Sequence, residues 1–414
     1  MDNFTLGPTL DFTAVDLYQS ATCLYSGAGS YVLSPLSILY AGALLYLGSN
    51  GPTRDNLNTA LHFRRAFGNK SDILEGVFDN TAKMLSLEEV LDPSNKLPHI
   101  PNKAPTEVAL LNGVFHDPSI KLWGSFVKKV TKTLHAGVYE QSLLRNSDEA
   151  IKSMNDWVTT NTFGQITKLV APKSLSPTST VALVNTLYFR AAWDSHFPTS
   201  DPNLDRDSFY HLDGNVSQPL YMWARRTIPY AEDDDLDVQY VELPYVGDFY
   251  MLIILPRQRD GIRNCEHQFN SQALRNMRSK VPMLKAANQR LVNLKLPKFK
   301  IEGTFDMAKL FAKVGVTHAL GPKADFSRMV ASGKPDFAVM NHKVVFEIDE
   351  WGTEAAAVSA LQGPAPMGLM QSDASWVPDY APVDFTADHP FLFAVLHRPT
   401  ESLLFIGRME SPNS

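Results

Sequence analysis

Residue types that do covalent chemistry are present in this 414-residue chain, but not at the spacings such chemistry needs. Its eleven histidines show no metal-ligand spacing, and no HExxH, GxSxG, Walker A or GxGxxG segment occurs. The 44 acidic residues include no pair that sequence alone marks for general acid–base work. The two cysteines, Cys23 and Cys265, lie far apart, which suits neither a disulfide framework nor a zinc site. Two free buried thiols are expected, as fits a reducing compartment. These absences point away from an enzyme and from a metal or organic cofactor. One stretch is unusual in another way. Residues 349–390 begin with small side chains, then carry prolines 364, 366, 378 and 382, and no Lys or Arg occurs between Lys343 and Arg398. A connection of that length in a compact chain is usually functional or disordered.

The elements around that stretch set its ends. Ser34-Pro35 marks a helix start, with Ser as N-cap and Pro at the first helical position, and Gly48 stops it. No charge occurs from Leu17 to Thr53, yet a helix over Ser34–Leu47 reaches only ~20 Å against the ~30 Å of a hydrocarbon core. A buried core helix is expected there, not a membrane span. Ser71–Leu91 reads as an amphipathic helix, and residues 91–105, with four prolines, as an insertion loop. Ile151–Thr160 reads as a helix, and Thr304 as the cap of a short helix carrying Met307, Leu310, Phe311 and Val314 and ended by Gly315. Strands are expected at Val108–Phe115, Val181–Phe189, Val238–Leu243, Tyr250–Leu255, Val339–Ile348, Phe391–Leu396 and Leu403–Ile406. Helices come early and strands late, which indicates α+β. A net charge of −6 argues against general nucleic-acid binding. The N-terminus lacks the basic start and apolar core of a signal peptide. The sequons at Asn3, Asn69 and Asn215 matter only on an exported chain.

Several segments, in family order from about residue 10 to 412, resemble the serpin family. They are Ser34–Ile38, Leu47–Thr53, Asn155–Val158, Val184–Phe189 with Trp193, Leu243–Tyr245, Leu296–Phe299, Asn341–Lys343, Glu350–Ala357, Asp388–Phe391 and Phe405–Arg408. Each is weak alone, whereas the ordered set is specific. The resemblance implies one domain over residues 1–414, an α+β serpin fold with three β-sheets and about nine helices, and an exposed reactive centre loop. It implies a suicide inhibitor of serine proteases: the loop is cut, inserts into the main sheet and carries the acyl-protease with it. A non-inhibitory serpin acting as carrier, chaperone or storage protein is the alternative. Such members tend to carry bulky, charged or proline residues in the hinge, whereas Gly352, Thr353 and Ala355–Ala357 here are small.

By family position the hinge and extended loop occupy residues 350–385. The hinge holds Gly352, Thr353, Glu354, Ala355, Ala356 and Ala357, all small except Glu354, as alternate side chains must be to enter a packed core. Trp351 departs from the family, where this position is normally polar. Counting from Gly352 gives Pro366 as the acyl-side residue, a poor choice chemically. Met367-Gly368 is therefore preferred, with Pro366, Leu369 and Met370 as alternatives and the excess Gln371–Val383 placed after the cut. Without Lys or Arg in the loop, the partner expected is a chymotrypsin- or elastase-like protease. Ser34, Ser37, Asn185 and His342 should form a hydrogen-bonded cluster beneath the central strands. Trp193, Lys298 and Glu350 should gather where the loop begins. Arg275, Arg278, Lys280 and Lys285 open a run free of acidic residues, a candidate polyanion site for a glycosaminoglycan by likeness to some serpins, although a solvated basic face is the preferred reading. A monomer is expected, in the cytoplasm or released without a leader, because the ending Gly407–Pro412 resembles leaderless members.

Overall fold

Ser34 starts a helix for the reason its residue type suggests. Its Oγ accepts the Ser37 N–H at 3.2 Å, and Pro35 takes the first position, where a missing N–H leaves no bond unmade. The computed structural model describes residues 7–24, 29–64, 71–85, 106–201, 203–280, 289–353 and 381–412. Among them are nine helices: α1 (Gly7–Leu24), α2 (Pro35–Gly48), α3 (Gly51–Ala60), α4 (Ser71–Met84), α5 (Gly124–Leu134), α6 (Ser147–Asn161), α7 (Ile262–Gln268), α8 (Ser271–Lys280) and α9 (Met307–Lys313). Every residue of α2 is buried, and no described helix is long and apolar enough to cross a membrane.

The strands are β1 (Tyr31–Leu33), β2 (Glu107–His116), β3 (Lys121–Leu122), β4 (Gly137–Glu140), β5 (Val181–Ala192), β6 (Phe209–Tyr210), β7 (Val216–Ser217), β8 (Tyr221–Asp233), β9 (Val238–Pro244) and β10 (Phe249–Pro256). They continue as β11 (Gln289–Pro297), β12 (Phe299–Asp306), β13 (Val330–Ser332), β14 (Phe337–Ile348), β15 (Gly352–Thr353), β16 (Val383–Thr386), β17 (Phe391–His397) and β18 (Ser402–Met409). Six of them form one sheet in the order β12-β14-β15-β5-β2-β4. A second network runs β1-β18-β17-β10-β9-β8-β11-β16, and β8 divides it. Residues 221–229 of β8 pair with β11 and residues 230–233 with β9. It is thus two sheets sharing one long strand, giving the three large sheets expected, with short β3–β13 and β6–β7 pairs besides.

The main core lies between the six-stranded sheet, α2 and the β17–β18 pair. Phe346 meets Phe393 at 5.0 Å and Phe405 at 5.5 Å between ring centroids. Each such ring contributes ~1.5–3 kcal/mol by burial. A smaller cluster under α6 joins Met154 and Val158 to Ala182 and Val184 of β5 and Val345 of β14. The helix therefore lies across the strands flanking β15.

Some local expectations differ. Thr304 does not cap the helix after it: the in–out alternation of β12 persists to Asp306, whose Oδ1 accepts the Ala308 and Lys309 N–H groups at 2.9 and 3.3 Å. Cys23 is exposed rather than buried, because it lies in the last turn of α1 on the solvent side, 3.6 Å from Lys313 Nζ. Cys265 is buried, and burial pushes its thiol up to about 12. α4 is described to Met84, and the rest of Ser71–Leu91 and the 91–105 insertion lie beyond the described residues apart from Leu85. Val383 belongs to β16, so the connection assigned to 350–385 gives way to strand by residue 383.

Candidate functional site

β14 and β5 run parallel and pair directly from Phe337↔Val181 to Lys343↔Thr186, where Thr186 Oγ1 also donates to the Lys343 carbonyl at 2.5 Å. Their register stops there. Above it, Gly352 and Thr353 enter as β15, antiparallel to both neighbours, with Gly352↔Ala192, Thr353↔Ala191 and Thr353↔Ile348. Among the described residues nothing pairs Leu187–Arg190 with Val344–Glu347. The two strands are parted at one end and closed at the other.

A tight turn makes the parting. Asp349 Oδ1 accepts the N–H groups of Trp351 and Gly352 at 2.8 and 3.2 Å, and the Asp349 N–H donates to the Gly352 carbonyl at 3.0 Å. Gly352 sits at φ +153°, and a Cβ there would run into the Ala191 carbonyl, so only glycine fits. Thr353 is buried, its Oγ1 hydrogen-bonded to Tyr245 Oη at 2.6 Å. Trp193 stacks on Tyr245 with centroids 4.4 Å apart and donates its indole N–H to the Asp349 carbonyl at 2.9 Å. Glu350 is buried, ion-paired with Lys298 and accepting the Ser200 N–H at 2.9 Å. Burial alone would raise its carboxyl, but the Lys298 and Ser200 hydrogen bonds outweigh that, and the net shift is downward. Trp193, Lys298 and Glu350 are thus brought together as expected, with one carboxylate out of water rather than two solvated charges. Tyr245 and Ser200 complete the group.

The four residues expected beneath the central strands also meet. Ser37 Oγ donates to Asn185 Oδ1 at 2.7 Å, and Asn185 Nδ2 donates to the Ser37 carbonyl at 3.0 Å. His342 lies 2.8 Å from the same Asn185 oxygen through Nδ1, and its Nε2 accepts the Ser34 N–H at 3.0 Å. Those partners require the neutral tautomer with its proton on Nδ1. Complete burial holds its pKa down at about 3, consistent with that assignment. A fifth member, Asn112 of β2, accepts from Asn185 Nδ2 at 2.6 Å. Its signal was available, since Asn112 is a lone polar residue in an apolar strand, as Asn185 is. The cluster ties α2 to β2, β5 and β14 at the row His342↔Asn185, just below the point where the strands part.

The basic run is used differently. Arg278 is half-buried, paired with the buried Asp11 at 2.6 Å and with Glu401 at 2.8 Å, and Arg275 lies 3.9 Å from Asp11 and over the Phe12 ring. Both arginines thus serve to hold α8 to α1. The Lys280 side chain and Lys285 lie outside the described residues, as do Glu354, Ala355, Ala356, Ala357, Pro366, Met367, Gly368, Leu369 and Met370.

A family model described as serpin (serine protease inhibitor) matches residues 9–412. The leukocyte elastase inhibitor of Bos taurus is 30% identical over 411 residues, covering 96% of this chain and 97% of its own. Serpin B6 of Pongo abelii is 31% identical over 385 residues, covering 92% of each. Among solved structures, human glycosylated kallistatin superposes with a TM-score of 0.81 at 23% identity over 98% of both chains. Serpin48 of Tenebrio molitor gives 0.78 at 26% identity over 99% of both.

Proposed function

This chain belongs to the serpin family of serine protease inhibitors, and on that premise we propose that it acts once, as a suicide substrate. The protease serine attacks a carbonyl between β15 and β16, expels the amine of the C-terminal fragment and is left as an ester on the N-terminal side. The freed arm then enters the six-stranded sheet before water reaches the ester, and the protease is carried along it. The protease supplies the covalent chemistry; the inhibitor supplies a sheet able to accept one more strand.

The observation that carries this reading is the parted pair of strands. Continuing the β15 register sets Glu354, Ala355, Ala356 and Ala357 against Arg190, Phe189, Tyr188 and Leu187 on β5. The same four residues face Glu347, Phe346, Val345 and Val344 on β14. These are the rows in which β5 and β14 have no described partner on their facing edges. Ala355 and Ala357 share the inward face with Thr353, where small side chains enter without displacing core atoms. Beyond Ala357, each further residue must break an existing pairing, first Lys343↔Thr186 and then His342↔Asn185. The buried hydrogen-bonded cluster therefore resists the advance of the arm until the gain from a full ladder exceeds its loss. By the same register Gln362 meets Ala182 and Val339, and Gly363 meets Val181 at the strand end, so Pro366, without an N–H, lies past the ladder.

We place the cut at Met367-Gly368 and the partner among chymotrypsin- or elastase-like proteases, since no Lys or Arg is offered between Lys343 and Arg398. The test is incubation with an elastase, a chymotrypsin and a trypsin, followed by a denaturing gel and the mass of the released C-terminal fragment. Stable complexes with the first two and a fragment beginning at Gly368 are expected. A stable trypsin complex cut between residues 360 and 385 refutes the specificity. Cleavage without any stable complex leaves the carrier, chaperone or storage alternative.

A further inference from the structure

Trp351 is the one residue at the root of the loop that departs from the family pattern, and the site described above gives it no role. Its neighbours are fixed from beneath: Glu350 is held by Lys298 and Ser200, and Gly352 is paired to Ala192. Trp351 turns the other way. It is 36% exposed, and its ring lies against His196, with centroids 5.1 Å apart and planes 13° from parallel. His196 belongs to the segment that continues β5, whereas Trp351 belongs to the turn that leaves β14. The stack therefore bridges the two sides of the parted sheet, above β15.

The histidine side of this bridge is not a loose surface loop. Arg226 of β8 donates to the Ser195 and His196 carbonyls at 2.7 and 3.4 Å, and its guanidinium sits 4.2 Å from the Phe197 ring centroid. Two backbone bonds run alongside: the Trp193 N–H donates to the Trp351 carbonyl and the Phe197 N–H to the Glu350 carbonyl, both at 2.9 Å. The turn 349–352 is thus gripped from below by Glu350 and Trp193 and from above by the stack. A two-residue strand has little pairing of its own to keep it in place.

We propose that Trp351 and His196 are positioning residues that keep Gly352 and Thr353 seated between β5 and β14, so that insertion starts from an occupied first rung. The proposal rests on the inhibitory reading above. Unseating the hinge adds a docking step before insertion, during which water can release the protease.

Trp351→Ala and His196→Ala should each raise the ratio of protease released to protease trapped, read as the moles of inhibitor consumed per mole inactivated in excess of one, by roughly two- to tenfold, the worth of one stacked pair. Trp351→Phe should recover most of the loss. The double alanine variant should be no worse than the worse single, because both delete one interaction. Hydrogen exchange over residues 349–353 in the intact protein should quicken in both alanine variants, with a melting temperature within about 2 °C of wild type. Unchanged stoichiometry and exchange in Trp351→Ala, or additive losses in the double variant, overturn the proposal. If wild type traps no protease at all, the inhibitory reading fails instead, and the exchange measurement alone still decides whether the stack seats the hinge.

Discussion

Replacing Thr353 by arginine puts a charge where the hinge enters the core. Thr353 is 1% exposed, hydrogen-bonded to the buried Tyr245, and flanked by Ala191 and Ile348. An arginine kept there would be a buried charge without a partner, at a cost of several kcal/mol. The cheaper response is for residues 352–353 to leave the sheet. That forfeits the Tyr245 bond and about two ladder bonds, each worth ~1 kcal/mol, so the penalty is about 3 kcal/mol. If it falls on the insertion step, insertion slows by about a hundredfold, while hydrolysis of the ester is untouched because the cut lies more than ten residues away. The variant should be cleaved at the wild-type bond and release active protease. The assay is a titration of a chymotrypsin-like and an elastase-like protease, read as residual activity and as complex on a denaturing gel. Thr353→Ser, which keeps the hydroxyl, should stay close to wild type. Arginine at this position with an undiminished yield of stable complex would refute insertion through this hinge.

Three further outcomes follow from the same geometry. Cleavage in the 354–380 connection should raise the melting temperature by well over ten degrees, since an inserted strand adds two ladders and ~1 kcal/mol moves a chain this long by about 2 °C or less; equal values for intact and nicked protein would mean that the arm stays out. Asn185→Ala strands buried groups on Ser37, His342 and Asn112 together, which at ~1–2 kcal/mol each should lower the melting temperature by roughly 5–8 °C. His342 is held at about 3 by burial, against about 6.5 in the unfolded chain, so between those values the unfolded chain binds the extra proton. Its contribution is complete above about pH 6.5 and is lost as the pH falls toward 3; His342→Asn should reduce the slope of stability against pH near 5 by about one proton, ~1.4 kcal/mol per pH unit. His397, held at about 4 by burial, adds a slope of the same sign, whereas Asp11, raised to about 6 chiefly by burial, opposes it. The comparison with wild type isolates His342.

Much of the site was legible because it depends on residue types that local physics constrains. Ser34-Pro35 can hardly be anything but a helix start, and a polar Asn185 in an apolar strand must find a partner. Gly352 and the small residues after it stand out through the family resemblance rather than through local physics, which by itself also allows an alanine-rich helix; what the structure adds is that a Cβ at Gly352 would meet the Ala191 carbonyl. Asn112 and Tyr245 were missed although the same polar-in-apolar argument applies to Asn112. Arg275 and Arg278 looked like a basic face because their counter-charges are remote: Asp11 lies 267 residues from Arg278 and Glu401 lies 123. No window of sequence joins them. The cap of α9 was misplaced by two residues because a strand runs directly into the helix, and the end of in–out alternation is visible only in the sheet. Cys23 is apolar by type, but its place in the final turn of α1 leaves it at the surface.

α2 poses a problem of alignment. Amphipathic helices are oriented by their own faces, since rotation would expose the apolar side. Buried along its whole length, α2 has no such preference, and oily contacts alone would let it turn or slide by a fraction of a pitch at small cost. What indexes it is polar: Ser34 to His342, Ser37 to Asn185, and the Tyr40 hydroxyl donating to the Phe78 carbonyl at 2.8 Å. The cluster at the mouth of the helix therefore acts as a key as well as a bolt, fixing the angle and depth of a rod that grease alone would leave free to slip. Volume-conserving changes elsewhere along α2 should leave that setting intact, whereas removing the key should yield a native state with more than one setting of the helix.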